Sequence, residues 1–148
     1  MLGRSRPVAF SSSCHLRLQG VAMVAGQFIS NQKVIVMKLV KIGEGSFYDA
    51  PGHSNCSCMN KLFAGKDTKR TTIAVSHFLP DGGATLSSSP KERVYVVLAG
   101  RIQVNGKDGE EYILEARHMI YIAPNEERAF KVLGSEPASI LVILTDVS

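Results

Sequence analysis

The amino-acid sequence predicts an all-β fold, a barrel or sandwich of short antiparallel strands in a single domain. From residue 37 onward, short runs rich in Val, Ile, Thr, Tyr and Phe recur at close intervals, as is typical of strands. Segments containing some of the 13 glycines and 6 prolines separate these runs. We find no convincing segment with the 3.6-residue period of an amphipathic helix. A length of 148 residues fits one domain with one core.

Ten strands are predicted in this part of the chain. Their boundaries are residues 38–42, 46–48, 61–63, 71–79, 93–98, 101–104, 112–115, 119–122, 129–132 and 139–144. Residues 80–83, Pro-Asp-Gly-Gly, predict the end of the fourth strand, and residues 105–109 predict a hairpin turn. Alternation along 93–98 places Arg93 and Tyr95 on one face of a strand that is apolar on both faces. That pattern is expected of a strand covered on both sides.

The basic character of the chain comes from its first quarter. Residues 1–36 contain four basic residues and no acid, whereas residues 37–148 contain 13 basic and 13 acidic residues. The sequence pI of about 9.1 therefore describes the leader and not the domain. A nucleic-acid-binding face needs basic residues clustered on the folded body, so we expect no nucleic-acid partner.

The domain is predicted to span residues 37–148, after an N-terminal extension over residues 1–36. The extension has the composition of an organelle transit peptide, but we favour a poorly ordered upstream segment ahead of a natural start at Met37. No run of 18 apolar residues exists, so no membrane partner is expected. The three cysteines do not form a disulfide framework, which favours a reducing, cytoplasmic location.

Two stretches resemble the conserved motifs of the cupin superfamily. Residues 79–104 are similar to the first motif, because Gly82 and Gly83 lead in and Arg93 is followed by six residues and then Gly100. Residues 112–130, with Leu-Glu-Ala, Ile-Tyr-Ile-Ala-Pro-Asn and Ala-Phe, are similar to the second. The resemblance covers roughly residues 63–147. It implies a small single-domain cupin, that is, a double-stranded β-helix or jelly-roll barrel.

The metal-binding residues of that family are not retained under this alignment. The two histidines of the first motif fall on Ser87 and Ser89, its glutamate falls on Arg93, and the histidine of the second motif falls on Arg128. A serine hydroxyl is a poor ligand for a first-row divalent metal, and a guanidinium is already cationic. We therefore expect no metal and no cofactor, and the metal-dependent reactions of the family do not carry over.

The resemblance implies that these four side chains point into the mouth of the barrel, with Tyr95 near them. Two unit charges about 5 Å apart at an effective dielectric constant of about 20 repel by about 3 kcal/mol, which favours a bound anion or an acid beside two arginines. The arginine fork matches carboxylate or phosphate. The predicted ligand-binding residues are Ser87, Ser89, Arg93 and Arg128, and the predicted ligand is a small anionic or sugar-like molecule. Alternatively, Arg93 forms a structural ion pair with Glu92, Glu126 or Glu127.

His77 and Tyr95 are the candidate catalytic residues. Alternation along 71–79 places His77 with Ile73 and Val75 on a face that is expected to line the barrel, where a histidine suits general-base catalysis. A lone histidine among apolar residues is also commonly a hydrogen-bonded core residue.

The segment His53, Cys56 and Cys58 offers three soft ligands, but its spacing is not a standard zinc pattern and the cysteines also fit a core face. Three functions therefore compete: metal-independent binding of a small molecule, a metal-independent lyase or isomerase acting on a carbonyl or sugar-acid substrate, and a structural or interaction protein. A homodimer is expected by family analogy, because pairing covers an exposed sheet edge.

Overall fold

The structure is a computed structural model and describes residues 37–147. The N-terminal extension predicted for residues 1–36 lies outside these residues. The described part of the chain forms nine strands and no helix. The strands are β1 (Ser46–Tyr48), β2 (His53–Leu62), β3 (Thr71–Ser87), β4 (Glu92–Ala99), β5 (Arg101–Gly106), β6 (Glu111–Glu115), β7 (Met119–Ile122), β8 (Arg128–Val132) and β9 (Ala138–Thr145).

The long strand β3 connects the two halves of a barrel. Its first half pairs with β9, from Thr71 opposite Thr145 to Phe78 opposite Ala138, and its second half pairs with β8. The strand order is β6-β5-β8-β3-β9-β4-β7, and β2 joins the sheet at β3 with β1 outside it. All strand pairs are antiparallel. The predicted all-β double-stranded β-helix is confirmed.

The predicted end of the fourth strand at residues 80–83 is wrong. Strand β3 continues through these residues, where Asp81 takes a left-handed conformation with φ of 62° and the pairing with β2 is irregular between Ser54 and Cys56. Gly83 follows, and a side chain there would collide with the backbone oxygen of Phe130 on β8. The glycine therefore serves the close approach of β3 to β8 and not a turn.

Two further boundaries differ from the predictions. Residues 38–42 are not a strand, and they are mostly exposed. Strand β2 begins at His53, eight residues before the predicted start at residue 61. The missed part, residues 53–60, contains none of the β-branched residues, Tyr, Phe or Trp that are enriched in strands, so its pairing with β3 depends on tertiary contacts and not on propensity.

The barrel encloses one apolar core to which most strands contribute. The largest fully buried side chains are Phe78, Ile102, Ile140, Val97 and Val104. On β4 the buried face carries Arg93 and Tyr95 beside Val97, as alternation predicts. The interior therefore changes from an apolar core to a polar region along a single strand.

The prediction of which face of β3 points into the barrel is wrong. Ala74, Ser76 and Phe78 are the buried residues of its first half, whereas His77 is exposed on the outer face. Nδ1 of His77 lies 2.7 Å from Oγ of Ser139 on the neighbouring strand β9. Two of these inward residues, Ser76 and Phe78, line the cavity described below.

Within residues 37–147, no helix is long and apolar enough to cross a membrane. Strand β1 pairs with β2 on one side, and Phe47 within it is exposed. The homodimer and the cytoplasmic location stay predictions.

Candidate functional site

A cavity of about 210 Å³ lies inside the barrel, at the polar end of β4. One part of its wall is apolar and includes Phe78, Phe130, Ile140, Val142 and Leu144. The polar part includes His53, Ser87, Ser89, Arg93, Tyr95 and Arg128. In the structure, the four predicted ligand-binding residues and Tyr95 thus line one cavity.

Arg128 is held in a fixed position at this cavity. Its side chain is buried, and Nε donates a hydrogen bond of 2.7 Å to the hydroxyl of Tyr95. Nη1 donates to Oγ of Ser87 at 2.7 Å and to the carbonyl of Thr85 at 3.4 Å. Ser87 and Arg128 are also direct partners in the pairing of β3 with β8. These contacts fix the orientation of the guanidinium.

Arg93 is buried with part of its hydrogen-bonding capacity unused. Nη2 donates to the backbone carbonyl of Glu126 at 2.5 Å, but Nε is buried and has no hydrogen-bond partner. Burial lowers the pKa of Arg93, and the positive charge of Arg128 acts in the same direction, while Tyr95 and the more distant carboxylate of Glu126 oppose them. A buried donor without an acceptor is costly, and an arginine without an anion is more so.

The alternative in which Arg93 forms a structural ion pair is wrong for the three glutamates considered. The carboxylate of Glu92 accepts a hydrogen bond from Tyr121, and that of Glu127 pairs with Lys107 at 2.8 Å. Glu126 contacts Arg93 through its backbone carbonyl. Among residues 37–147, no carboxylate lies within ion-pair distance of Arg93 or Arg128, and no Asp or Glu lines the cavity.

The two serines contribute differently. Oγ of Ser87 accepts the hydrogen bond from Arg128, and Oγ of Ser89 accepts one from the backbone N–H of Lys91 at 3.2 Å. Since each oxygen acts as an acceptor, each hydroxyl keeps its own hydrogen for donation to a ligand. The serines therefore add hydrogen-bond donors to the positive end of the cavity.

Residues 74–144 match the family model described as Cupin domain. A protein of Mycobacterium tuberculosis named beta-D-galactosidase is 31% identical over 109 residues, which cover 72% of this chain and 91% of that relative. The chain belongs to the cupin superfamily.

Solved structures show the same fold. The polyketide cyclase RemF of Streptomyces resistomycificus matches this cupin with a TM-score of 0.65 at 18% identity, over 74% of this chain and 80% of that one. A cupin-like protein of Thermotoga maritima matches with a TM-score of 0.62 at 17% identity, over 70% and 78% of the two chains. At such identities the likeness concerns the barrel alone.

The metal site typical of cupins does not fit the residues of this cupin. Ser87, Ser89, Arg93 and Arg128 stand where the alignment places metal ligands, and two of them bring positive charge into the cavity. The described residues contain no cluster of three or more His, Cys, Asp or Glu side chains that suits a metal ion. A divalent cation beside two unpaired guanidinium groups would be repelled by both of them.

The two candidate catalytic residues have separate positions. Tyr95 lies at the cavity with its hydroxyl accepting from Arg128. His77 does not line the cavity, because it points outward from β3. We therefore remove His77 from the candidate site.

His53 is one of four polar cavity residues that sequence reasoning did not assign to the site; the others are Tyr48, Ser76 and Ser88. It is the first residue of β2, and it is half-buried between Phe78 and Phe130 at centroid distances of 6.1 Å and 6.0 Å. Its appearance beside Cys56 and Cys58 suggested a metal ligand instead. Those cysteines lie at a separate groove, with their sulfur atoms 3.8 Å apart, so the three side chains do not form the proposed metal site.

Proposed function

We propose that this cupin binds a small anionic, oxygen-rich metabolite inside its barrel without a metal ion. One observation carries the proposal: Arg93 and Arg128 are 3% and 6% exposed at one cavity and have no carboxylate partner among the described residues. Natural proteins rarely bury charged side chains without partners. An anion in the cavity supplies the missing countercharge.

The polar contacts favour an oxyanion such as carboxylate or phosphate. Nε of Arg93 is a buried donor without an acceptor, and an arginine presents several donors in a planar fork that matches two oxygens of one anionic group. Ser87 and Ser89 line the same cavity. Arg128 is already oriented by Tyr95 and Ser87, so binding there costs little side-chain entropy.

The apolar wall of the cavity restricts the size and polarity of the uncharged part of the ligand. Phe78 and Phe130 meet edge to face at 5.0 Å and lie against the cavity with Ile140 and Val142. A cavity of about 210 Å³ accommodates a compact organic acid whose non-polar carbon atoms contact these side chains. The ligand is therefore expected to carry its charge at one end.

The galactosidase name of the mycobacterial relative does not extend readily to this cavity. Glycoside hydrolysis usually needs two carboxylates that flank the scissile bond. The residues that line the cavity in the described part of the chain include no Asp or Glu. A sugar acid remains within the proposed ligand class, because its carboxylate meets the arginines and its hydroxyls meet the serines.

We expect acids to raise the melting temperature and their neutral analogues to leave it unchanged. The assay compares galacturonate with galactose and 2-oxobutyrate with butanone, and it includes phosphate and citrate. A ligand at a hundred times its Kd adds about 2.7 kcal/mol to the free energy of unfolding, a rise of several degrees for a domain of this size. The variant Arg101→Met, which removes an exposed arginine that does not line the cavity, is a control and should show the same acid-induced shifts as wild type. Equal shifts with acids and neutral analogues, or no shift with any acid, would contradict the proposal.

Metal ions are expected to have no effect on this binding. Addition of Mn²⁺, Ni²⁺ or Zn²⁺ should not raise the melting temperature, and EDTA should leave the acid-induced shift intact, since the cavity presents cationic groups where a metal would bind. Calorimetric titration of the acid with and without EDTA measures this directly. A loss of affinity in EDTA that is restored by one metal would contradict the metal-independent mode.

A further inference from the structure

His53 lies at the cavity in a defined tautomer. Its Nδ1 is 2.9 Å from the backbone oxygen of Pro51, and a carbonyl oxygen only accepts hydrogen bonds. In the neutral ring the hydrogen therefore resides on Nδ1, which leaves a lone pair on Nε2. The ring is stacked on Phe78 at an interplanar angle of 29° and meets Phe130 edge-on at 72°. These contacts hold the imidazole in one orientation.

No other described residue of the cavity has a comparable group. The cavity contains no Asp, Glu, Lys or Cys among its described lining residues, and His53 is its one histidine. Imidazole is the side chain whose ordinary pKa allows it to accept and return a proton near neutral pH. A reaction that needs a general base in this cavity therefore depends on His53.

The remaining polar groups suit the negative charge that such a proton transfer creates. The hydroxyl of Tyr95 accepts from Nε of Arg128, so its own hydrogen is free to donate to an oxyanion. Arg93 and Arg128 provide fixed positive charge in a buried site, where oriented donors stabilise a developing oxyanion. The cavity thus combines one base with an electrostatic environment for an enolate.

We propose that His53 acts as a general base on a small 2-oxo acid, and this rests on the anion binding proposed above. The arginines bind the carboxylate, and the ketone oxygen accepts from Tyr95. Nε2 removes a proton from the carbon next to the ketone: the C–H bond breaks, its electron pair forms the C=C bond of the enolate, and the carbonyl oxygen gains the negative charge. Return of a proton from Nε2 to that carbon regenerates the acid. A 2-oxo acid is chosen because it joins an anionic group to a C–H bond acidified by a ketone.

The test measures exchange of hydrogen for deuterium at C3 of 2-oxobutyrate in D₂O by ¹H NMR. Wild-type protein is expected to accelerate the exchange above the rate in buffer. The variant His53→Gln keeps a polar side chain but not the base, and its exchange rate should fall at least about 100-fold, because general bases contribute roughly 10² to 10⁴. Its binding of 2-oxobutyrate, measured by thermal shift, should persist. The variant His77→Gln on the outer face should match wild type.

The outcomes separate this inference from the proposed function. Binding of 2-oxobutyrate without exchange, or equal exchange by wild type and His53→Gln, overturns the role of His53 and leaves anion binding in place. Binding of galacturonate or phosphate but not of 2-oxobutyrate overturns the substrate class alone. Failure of every acid to bind overturns both proposals.

Discussion

Arg93→Met is expected to weaken acid binding at least about 30-fold and, at the same time, to stabilise the unliganded protein by about 1 kcal/mol. The side chain is 3% exposed, its Nε has no acceptor, and burial lowers its pKa, all of which indicate a charge held at a cost. Methionine fills a similar volume next to Ile122 and Leu144 on the paired strands. Replacing a buried ion pair by apolar side chains of similar volume is often neutral or stabilising by about 1–4 kcal/mol, and a buried charge without an ion-pair partner lacks even the attraction that such a pair gains.

A loss of affinity for acids together with a gain in the stability of the unliganded protein distinguishes a ligand-binding arginine from a structural one. The one hydrogen bond lost is to the carbonyl of Glu126, an exposed residue at which water can replace the guanidinium. Loss of a buried charge opposite a bound anion typically costs 2–5 kcal/mol of affinity. Urea unfolding without ligand gives the stability, and calorimetric titration gives the affinity. The control is Arg101→Met, which should change each quantity by less than about 0.5 kcal/mol. A variant that unfolds more easily yet binds normally would favour the purely structural barrel.

The fold was predictable because alternation and turn residues act locally. Strands β1 and β7 have the predicted boundaries, and β4 buries the side of the strand that carries Arg93 and Tyr95. The double-stranded β-helix itself followed from the resemblance to two motifs and not from periodicity. The same resemblance predicted that Ser87, Arg93 and Arg128 lie at one cavity. Their separation along the sequence alone does not predict this.

The wrong inward face of β3 has a physical cause in the strand itself. Strand β3 is apolar on both faces, so Ile73 and Val75 look like core residues although the cavity lies on the side of Ala74 and Ser76. The apolar character of residues 73 and 75 therefore did not identify the inward face, because both faces of β3 carry apolar residues. Because His77 shares the face of Ile73 and Val75, this error led to the prediction that His77 belongs to the site.

His53 was missed for a related reason. Its strand begins in a polar run, and its role depends on the turn at Pro51 and on two phenylalanines far away in the sequence. A signal was nevertheless present. The dipeptide Pro51-Gly52 directly before His53 is a turn signal in the sequence, and in the structure Gly52 has a left-handed φ of 70°.

Phe78→Ala is expected to have the largest effect on stability, a loss of about 3–5 kcal/mol. Phe78 is 1% exposed, and its ring meets Phe130 edge to face at a centroid distance of 5.0 Å and stacks with His53 at 6.1 Å. Removal leaves a void that the β3–β8 pairing cannot close, because both strands are held by neighbours on each side. Urea unfolding measures the loss. The matched control is Phe47→Ala, because Phe47 is 72% exposed and the change should cost less than about 1 kcal/mol.

The same substitution tests whether the core supports the candidate site. Since Phe78 lines the cavity and stacks on His53, Phe78→Ala should also weaken acid binding and slow deuterium exchange in the fraction that remains folded. Phe78→Leu retains most of the apolar contact and should fall between alanine and wild type in both measurements. An alanine variant with wild-type stability would mean that the interior is not packed around this ring. A destabilised variant with unchanged affinity would mean that the ligand binds away from the aromatic wall.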